Sequence, residues 1–221
     1  LPWSQVFWIT AAFMLPGMIM ILLVSEPVAA HAAPKTLRQA VVEPFHEFMG
    51  RNGVRGALLV LAFIFLYKLG DSLCTALATP FYLDMGFTKT DIGLIAKHAG
   101  LWPAVIGGLL GGLWMVRLGI NRALWLFGVV QLVSILGFAW LAWLGPQAAI
   151  GIDQRLALAA VIGVEALGVG LGTAAFVAFI ARTTHPAYTA TQFALFTSLA
   201  AVPRTFINAS AGWLVEGLGW F

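Results

Sequence analysis

Six stretches of this chain run for about 20 residues or more with almost no charge, and short polar turns separate most of them. No other feature limits the fold so strongly. A helix rises about 1.5 Å per residue and the hydrocarbon core of a bilayer is about 30 Å thick, so roughly 20 apolar residues cross it. Lipid offers no partner to a backbone N–H or C=O, so each such run has to satisfy its own backbone as a helix. Composition agrees. Hydrophobic residues make up 61% of the 221 and charged residues only 10%, too few to cover a soluble domain. The expected fold class is an all-α integral membrane protein, a bundle of about six transmembrane helices whose first partner is the lipid bilayer.

The first span is expected from about Gln5 to Val24, interrupted at Pro16-Gly17 and ended by Glu26-Pro27. The second runs from about Gly56 to Thr79 with Pro80 after it, the third from Ile92 to Val116, and the fourth from Ala123 to Leu144. The fifth covers Leu156 to Ile180, and the sixth, Thr191 to Val215, is the least apolar and carries Arg204. Residues 27–53 form the longest polar stretch. In it Leu37, Val41, Phe45 and Phe48 share one helical face, with Arg38, Gln39, Glu43 and Glu47 on much of the rest. That pattern suits a helix lying on the membrane surface and kinked at Pro44; an ordinary solvated linker accounts for it equally. The chain starts at Leu1 inside a span, without the basic region of a signal peptide, and stops at Phe221 just after another. It reads as part of a longer protein, with sequence missing at both ends.

Loop charge orients the bundle. Lys35, Arg38, Arg51 and Arg55 lie between spans one and two, Arg117 and Arg122 between three and four, and Arg182 between five and six. The other side carries only Lys89 and Arg155. Lys and Arg concentrate in cytoplasmic loops, so the 27–53 linker and the 117–122 and 182–190 turns are expected in the cytoplasm.

Several function classes drop out. The net charge of +3 is spread over loops with no basic stripe, contrary to nucleic-acid binding. Cys74 is the one cysteine, so no disulfide framework forms within the chain. His31, His46, His98 and His185 lie far apart, without metal-ligand spacing, and no metal or other cofactor is expected. A membrane-embedded enzyme would need a nucleophile–base pair, paired carboxylates or a ligand cluster at depth, and the spans contain none.

Glycines mark close approach of helices. Gly168 and Gly172 on span five, and Gly107, Gly108, Gly111 and Gly112 on span three, are expected to pack this way. The Gly168-Val-Gly170-Leu-Gly172-Thr173 run has a nucleotide-loop look but lies in an apolar span with no strand before it. Ionisable residues in spans carry the functional signal, because a charge at mid-bilayer costs at least about 2.5–3.5 kcal/mol on insertion scales and so faces a cavity or a partner. Lys68 and Asp71 share a helix face three residues apart. Lys97 and His98 lie toward the outer end of span three, Glu165 is well inside span five, and Arg204 is in the middle of span six beside Pro203. Structural ion pairs locking the helices together are the alternative for each, as is snorkelling for Lys97. Lys68, Lys97 and Arg204 set against Asp71 and Glu165 make a cavity suited to an anionic small-molecule solute. Asn208, one turn beyond Arg204, and Gln192 join the three cations as candidate substrate-binding residues. For proton coupling, burial favours the protonated form of a carboxyl and a nearby cation favours the ionised form. Asp71 has Lys68 on its own face, whereas Glu165 has no cation three or four residues away. Glu165 is therefore the first candidate proton carrier, unless Lys97 or Arg204 reaches it, and Asp71 the second.

The stretch Gly111-Gly-Leu-Trp-Met-Val-Arg-Leu-Gly-Ile-Asn-Arg122 sits in a short turn. On physics alone a plain positive-inside turn explains it. It also resembles the loop signature of major facilitator superfamily transporters through Gly112, Arg117, Gly119 and Arg122. Val116 stands where that family has Asp, and Asn121 replaces the first basic residue, which leaves a gating ion pair here unsupported. A closer resemblance runs over most of residues 54–221. Phe65-Leu-Tyr-Lys-Leu-Gly-Asp71, Gly168 to Phe179, Ala190-Thr-Gln-Phe-Ala-Leu195, Ala211-Gly-Trp-Leu-Val-Glu216 and Gly219-Trp220 are similar to AmpG-type muropeptide permeases. The resemblance implies a proton-driven importer of anhydromuropeptides in the bacterial inner membrane. Residues 1–26 would be the last helix of the N-terminal half, 27–53 the central linker, and 54–221 an incomplete five-helix C-terminal bundle, the N-terminal half being the missing partner. A transporter of another anionic or sugar solute, or a non-transporting membrane scaffold, is the alternative.

Overall fold

The computed structural model describes residues 2–25, 36–146 and 150–220, the side chains of Leu37 and Asn208 excepted. Glu26-Pro27, His31 and Lys35 lie outside those residues. The chain divides into two units, Leu1–Lys35 and Thr36–Phe221.

The first unit holds α1 (Trp3–Ala12) and α2 (Leu15–Leu23). The expected interruption at Pro16-Gly17 falls instead at Phe13-Met14, both still in the right-handed helical region. Pro16 occupies the first turn of α2, where a helix needs no N–H. The proline therefore starts a helix rather than breaking one.

The second unit comprises α3 (Leu37–Tyr67), α4 (Leu69–Asp84), a single turn α5 (Lys89–Asp91) and a π-helical turn Ile92–Ala96. Then follow α6 (Lys97–Leu118), α7 (Ile120–Leu144), α8 (Ile152–Thr183), a 3₁₀ turn Pro186–Tyr188 and α9 (Thr189–Leu218). Across both units five helical segments are long and apolar enough to cross a membrane: Trp3–Leu23, Arg38–Asp84, Lys89–Leu118, Ile120–Leu144 and Ile152–Thr183. The sixth expected span lies on α9, which has 30 residues and is not among these five. The chain is an all-α, multi-pass membrane protein.

The linker and the second span depart from expectation. Thr36 caps α3 by accepting the Gln39 N–H at 3.2 Å. The helix passes through Pro44 and bends instead at Gly53, at φ 66° and ψ 158°, a conformation that costs a residue without a Cβ little. The second span breaks at Lys68, between α3 and α4, and runs through Pro80 to Asp84. Residues 37–52 are packed on the bundle rather than lying free. Phe48 is 3% exposed and meets Phe196 with ring centroids 5.0 Å apart. Pro44 is buried beside it, whereas Val41 and Phe45 from the expected apolar stripe are 50% and 48% exposed.

Polar contacts pin both ends of the bundle. At the linker end Arg51 pairs with Glu47 at 2.9 Å and donates to the Thr183 carbonyl at 2.7 Å. Tyr188 donates to Glu43 at 3.4 Å, and burial together with that carboxylate raises the Tyr188 hydroxyl pKa above its ordinary value. At the opposite end Arg155 pairs with Asp91 at 2.8 Å, and the Trp220 indole donates to Asp84 at 2.8 Å.

Between the ends, α6 and α8 touch backbone to backbone. A Cβ on Gly170 would lie 2.2 Å from the Ala104 carbonyl oxygen, and one on Gly107 2.3 Å from that of Leu167. Gly111 meets Leu171 in the same crossing, while Gly108 and Gly112 have open space where their own Cβ would be. Gly168 and Gly172 do not face α6. They face Gln131 and Ser134 of α7.

Candidate functional site

The break at Lys68 positions the site. Lys68 is the last cap of α3 and the first of α4, and its carbonyl accepts both the N–H and the hydroxyl of Ser72, at 3.1 and 2.8 Å. One turn of α4 then carries Lys68 and Asp71 on the same side. The Lys68 ammonium lies 2.6 Å from Asp71 Oδ2 and donates to the Thr173 hydroxyl of α8 at 2.8 Å. The Gln131 amide of α7 donates to the same Asp71 oxygen at 2.9 Å. Side chains of the pair are 18% and 12% exposed, so water screens it little.

A cleft of about 410 Å³ opens on this pair between α4, α8 and α9. Lys68, Asp71, Ser72, Thr75, Thr197 and Arg204 supply its polar wall, with Phe176 and Ile180 among the apolar residues. Arg204 is exposed, makes no ion pair among the described residues, and projects from α9 beside the buried Pro203. The cleft thus holds two cations and one carboxylate, and the carboxylate is already matched by Lys68. A planar guanidinium left over in a half-shielded cleft can take a carboxylate or phosphate through two parallel hydrogen bonds.

Glu165 lies one turn before Val169, a cleft residue of α8, and is half-buried. It forms no salt bridge among the described residues, and the charges of Asp71 and Lys68 act on it. Neither Lys97 nor Arg204 forms an ion pair with it among the described residues. The structure brings Lys68, Asp71 and Arg204 to one cleft, while Glu165 lies on α8 one turn from its lining. It does not bring in Lys97, which is exposed just after the π-helical turn and does not line the cleft.

Gln192 has a different place from the one expected. It is 1% exposed and fully bonded at the linker end. Its amide donates to the Pro44 carbonyl at 2.9 Å and to Glu47 at 2.8 Å, and it accepts the His185 N–H at 2.7 Å. It lies 12 residues from Arg204, about 18 Å along a helix, and it ties the linker to α9 rather than facing the cleft. The side chain of Asn208 lies outside the described residues. In the 111–122 turn, Gly119 joins α6 to α7 at φ 74°, which explains its match to the loop signature. Arg117 and Arg122 are exposed and form no ion pair among the described residues, and Val116 is 84% exposed.

Gln131, Thr173, Ser72 and Thr75 belong to the site and were not singled out from the sequence. For Gln131 a signal existed: it is a lone amide within the apolar run Leu126–Leu136, and a polar group in a span has to find a partner.

The sequence model described as Major Facilitator Superfamily matches residues 1–208. A Haemophilus influenzae protein described only as "Uncharacterized protein" is 49% identical over 222 residues, covering 100% of this chain and 52% of that protein. The anhydromuropeptide permease of Escherichia coli K12 is 40% identical over 222 residues, covering 100% of this chain and 43% of the permease. The putative transporter AmpG 4 of Rickettsia conorii is 30% identical over 223 residues, with 99% and 51% coverage. The chain spans about half the length of these curated relatives.

Proposed function

Because this chain belongs to the Major Facilitator Superfamily, we propose that the whole protein carrying it is a secondary active transporter that imports anhydromuropeptides, driven by protons, across the bacterial inner membrane. The unpaired guanidinium of Arg204 in the cleft carries this reading. An anhydromuropeptide bears peptide carboxylates, and Arg204 offers the one charge at the cleft that Asp71 does not already neutralise among the described residues. The name of the 40% identical permease supports the solute class. Transporters of this type bind solute near the midplane between two halves. Residues 1–26 would then be the last helix of the N-terminal half, 27–53 a cytoplasmic linker, and 54–221 the C-terminal bundle. The cleft would close against the other half, with Glu165 and Asp71 as the proton carriers.

Arg204→Lys in the whole transporter tests the reading. Lys keeps the charge but loses the two-bond fork, so affinity for a labelled anhydromuropeptide should fall at least about tenfold, equivalent to about 1.4 kcal/mol. Membrane insertion should be normal. Unchanged affinity at a normal protein level would assign Arg204 a structural role.

Orientation has its own test. In a Cys74→Ala background, cysteines at Arg38 or Arg122 should be modified only by reagents that reach the cytoplasm, as the excess of basic residues at that end requires. Modification by an impermeant reagent added to intact cells would invert the topology.

A further inference from the structure

Three helices are joined through one ion pair. Asp71 Oδ2 on α4 accepts from Lys68 at 2.6 Å and from Gln131 of α7 at 2.9 Å, while Lys68 also reaches Thr173 of α8. Oδ1 of the same carboxylate accepts no hydrogen bond among the described residues and is not enclosed. Gln131 gets there only because α8 lacks side chains at two places. A Cβ on Gly172 would fall 2.5 Å from the Gln131 side-chain carbonyl and 2.6 Å from its amide nitrogen. A Cβ on Gly168 would fall 3.5 Å from the Gln131 Cα and 3.2 Å from the hydroxyl of Ser134, which itself donates to the Gln131 carbonyl at 2.8 Å. A leucine at 131 would suit an apolar span and need no gap. The molecule instead places an amide, 6% exposed, at mid-span and clears two positions on the neighbouring helix for it. Such a buried polar group is costly unless its hydrogen bond is made.

We infer that Gln131 is a positioning residue for proton transfer at Asp71, holding Oδ2 through the gap at Gly168 and Gly172 so that Oδ1 is the oxygen that takes and releases the proton. The inference rests on the proposed proton-coupled transport. With Oδ2 engaged twice, rotation of the carboxylate is blocked, and a single oxygen is presented in a fixed direction. Fixed direction matters because a proton carrier has to meet its donor and acceptor within hydrogen-bond reach. The other charged or titratable groups around Asp71 are Lys68 on its own turn, Tyr67 at the end of α3, Cys74 on α4, Glu165 on α8 and Arg204 across the cleft on α9. Among these residues only Lys68 bonds the carboxylate directly.

The test uses the intact transporter in vesicles with a labelled anhydromuropeptide, reading concentrative uptake under an imposed proton gradient beside counterflow exchange without one. Gln131→Met keeps the side-chain volume and removes the amide. Accumulation should fall at least ten times more than counterflow does. Gly172→Ala should give the same split, because its methyl group displaces the Gln131 amide. In a Gln131→Ala background, where the space is free, Gly172→Ala should change accumulation by less than twofold. Equal losses in accumulation and counterflow, failure of both single variants to reach the membrane, or wild-type accumulation by Gln131→Met would overturn the inference. Asp71→Asn separates this from the underlying reading. If Asp71→Asn abolishes accumulation while Gln131→Met does not reduce it, only the positioning role falls. If Asp71→Asn accumulates solute normally, Asp71 carries no proton and the positioning role falls, while proton-driven transport through Glu165 stands.

Discussion

Valine at Gly107 or Gly170 should leave little folded protein in the membrane. The space for a side chain at these positions is already filled by backbone atoms: the Leu167 oxygen 2.3 Å from a Gly107 Cβ, and the Ala104 oxygen and Gly108 nitrogen 2.2 and 2.8 Å from a Gly170 Cβ. A flexible side chain could move aside, but a helix backbone moves only if α6 and α8 separate along their whole crossing. Overpacking costs about 1–3 kcal/mol where neighbours relax and more where they cannot, so the loss here should be about 3 kcal/mol or more. Thermal unfolding of the detergent-purified protein and its monodisperse yield report the effect. Gly112→Val is the control, since a Cβ there meets no neighbouring helix or side chain within 4 Å. A Gly170→Val protein with a wild-type unfolding midpoint would show that the two helices do not cross as described.

Glu165→Gln should abolish concentrative uptake while reducing exchange much less. Gln keeps the shape of the side chain and removes its titration. Glu165 is half-buried on α8, has no ion-pair partner within 4.0 Å among the described residues, and feels both Asp71 and Lys68. A carboxyl so placed can gain or lose a proton with no salt bridge on either oxygen, whereas Asp71 holds Lys68 through Oδ2. In gradient-driven vesicles the solute concentration ratio of the variant should approach unity. Continued accumulation against a gradient would remove Glu165 from the coupling step and leave Asp71 as the candidate.

The Lys68–Asp71 pair was legible because both residues sit on one helix, where a separation of three fixes a shared face. Its partners were not. Thr173 and Gln131 lie 105 and 60 residues away from the groups they bond, on helices whose rotation only packing decides. For the same reason the charges acting on Glu165, sought along its own helix or at Lys97 and Arg204, come from Asp71 and Lys68 on other segments. Gly168 and Gly172 were read as close helix packing; the neighbour is α7, with the Ser134 hydroxyl and Gln131 Cα against Gly168 and the Gln131 side chain against Gly172. Missing side chains show that something approaches closely; they do not say what. Gln192 misled in the opposite sense: a polar residue near the start of a span suggested solute, and burial with three hydrogen bonds shows a tie between linker and bundle.

The amino-acid sequence by itself determined the class, the approximate spans and the asymmetry of basic charge between the two ends. These follow from local constraints, since bilayer thickness sets segment length and lipid forces each segment to bond its own backbone. Tertiary structure decided which faces meet, that the linker helix bends at Gly53 and the second span breaks at Lys68, and which of the buried charges share a cleft. Helix crossing depends on the volume and position of side chains from several segments at once, so no window of sequence contains it.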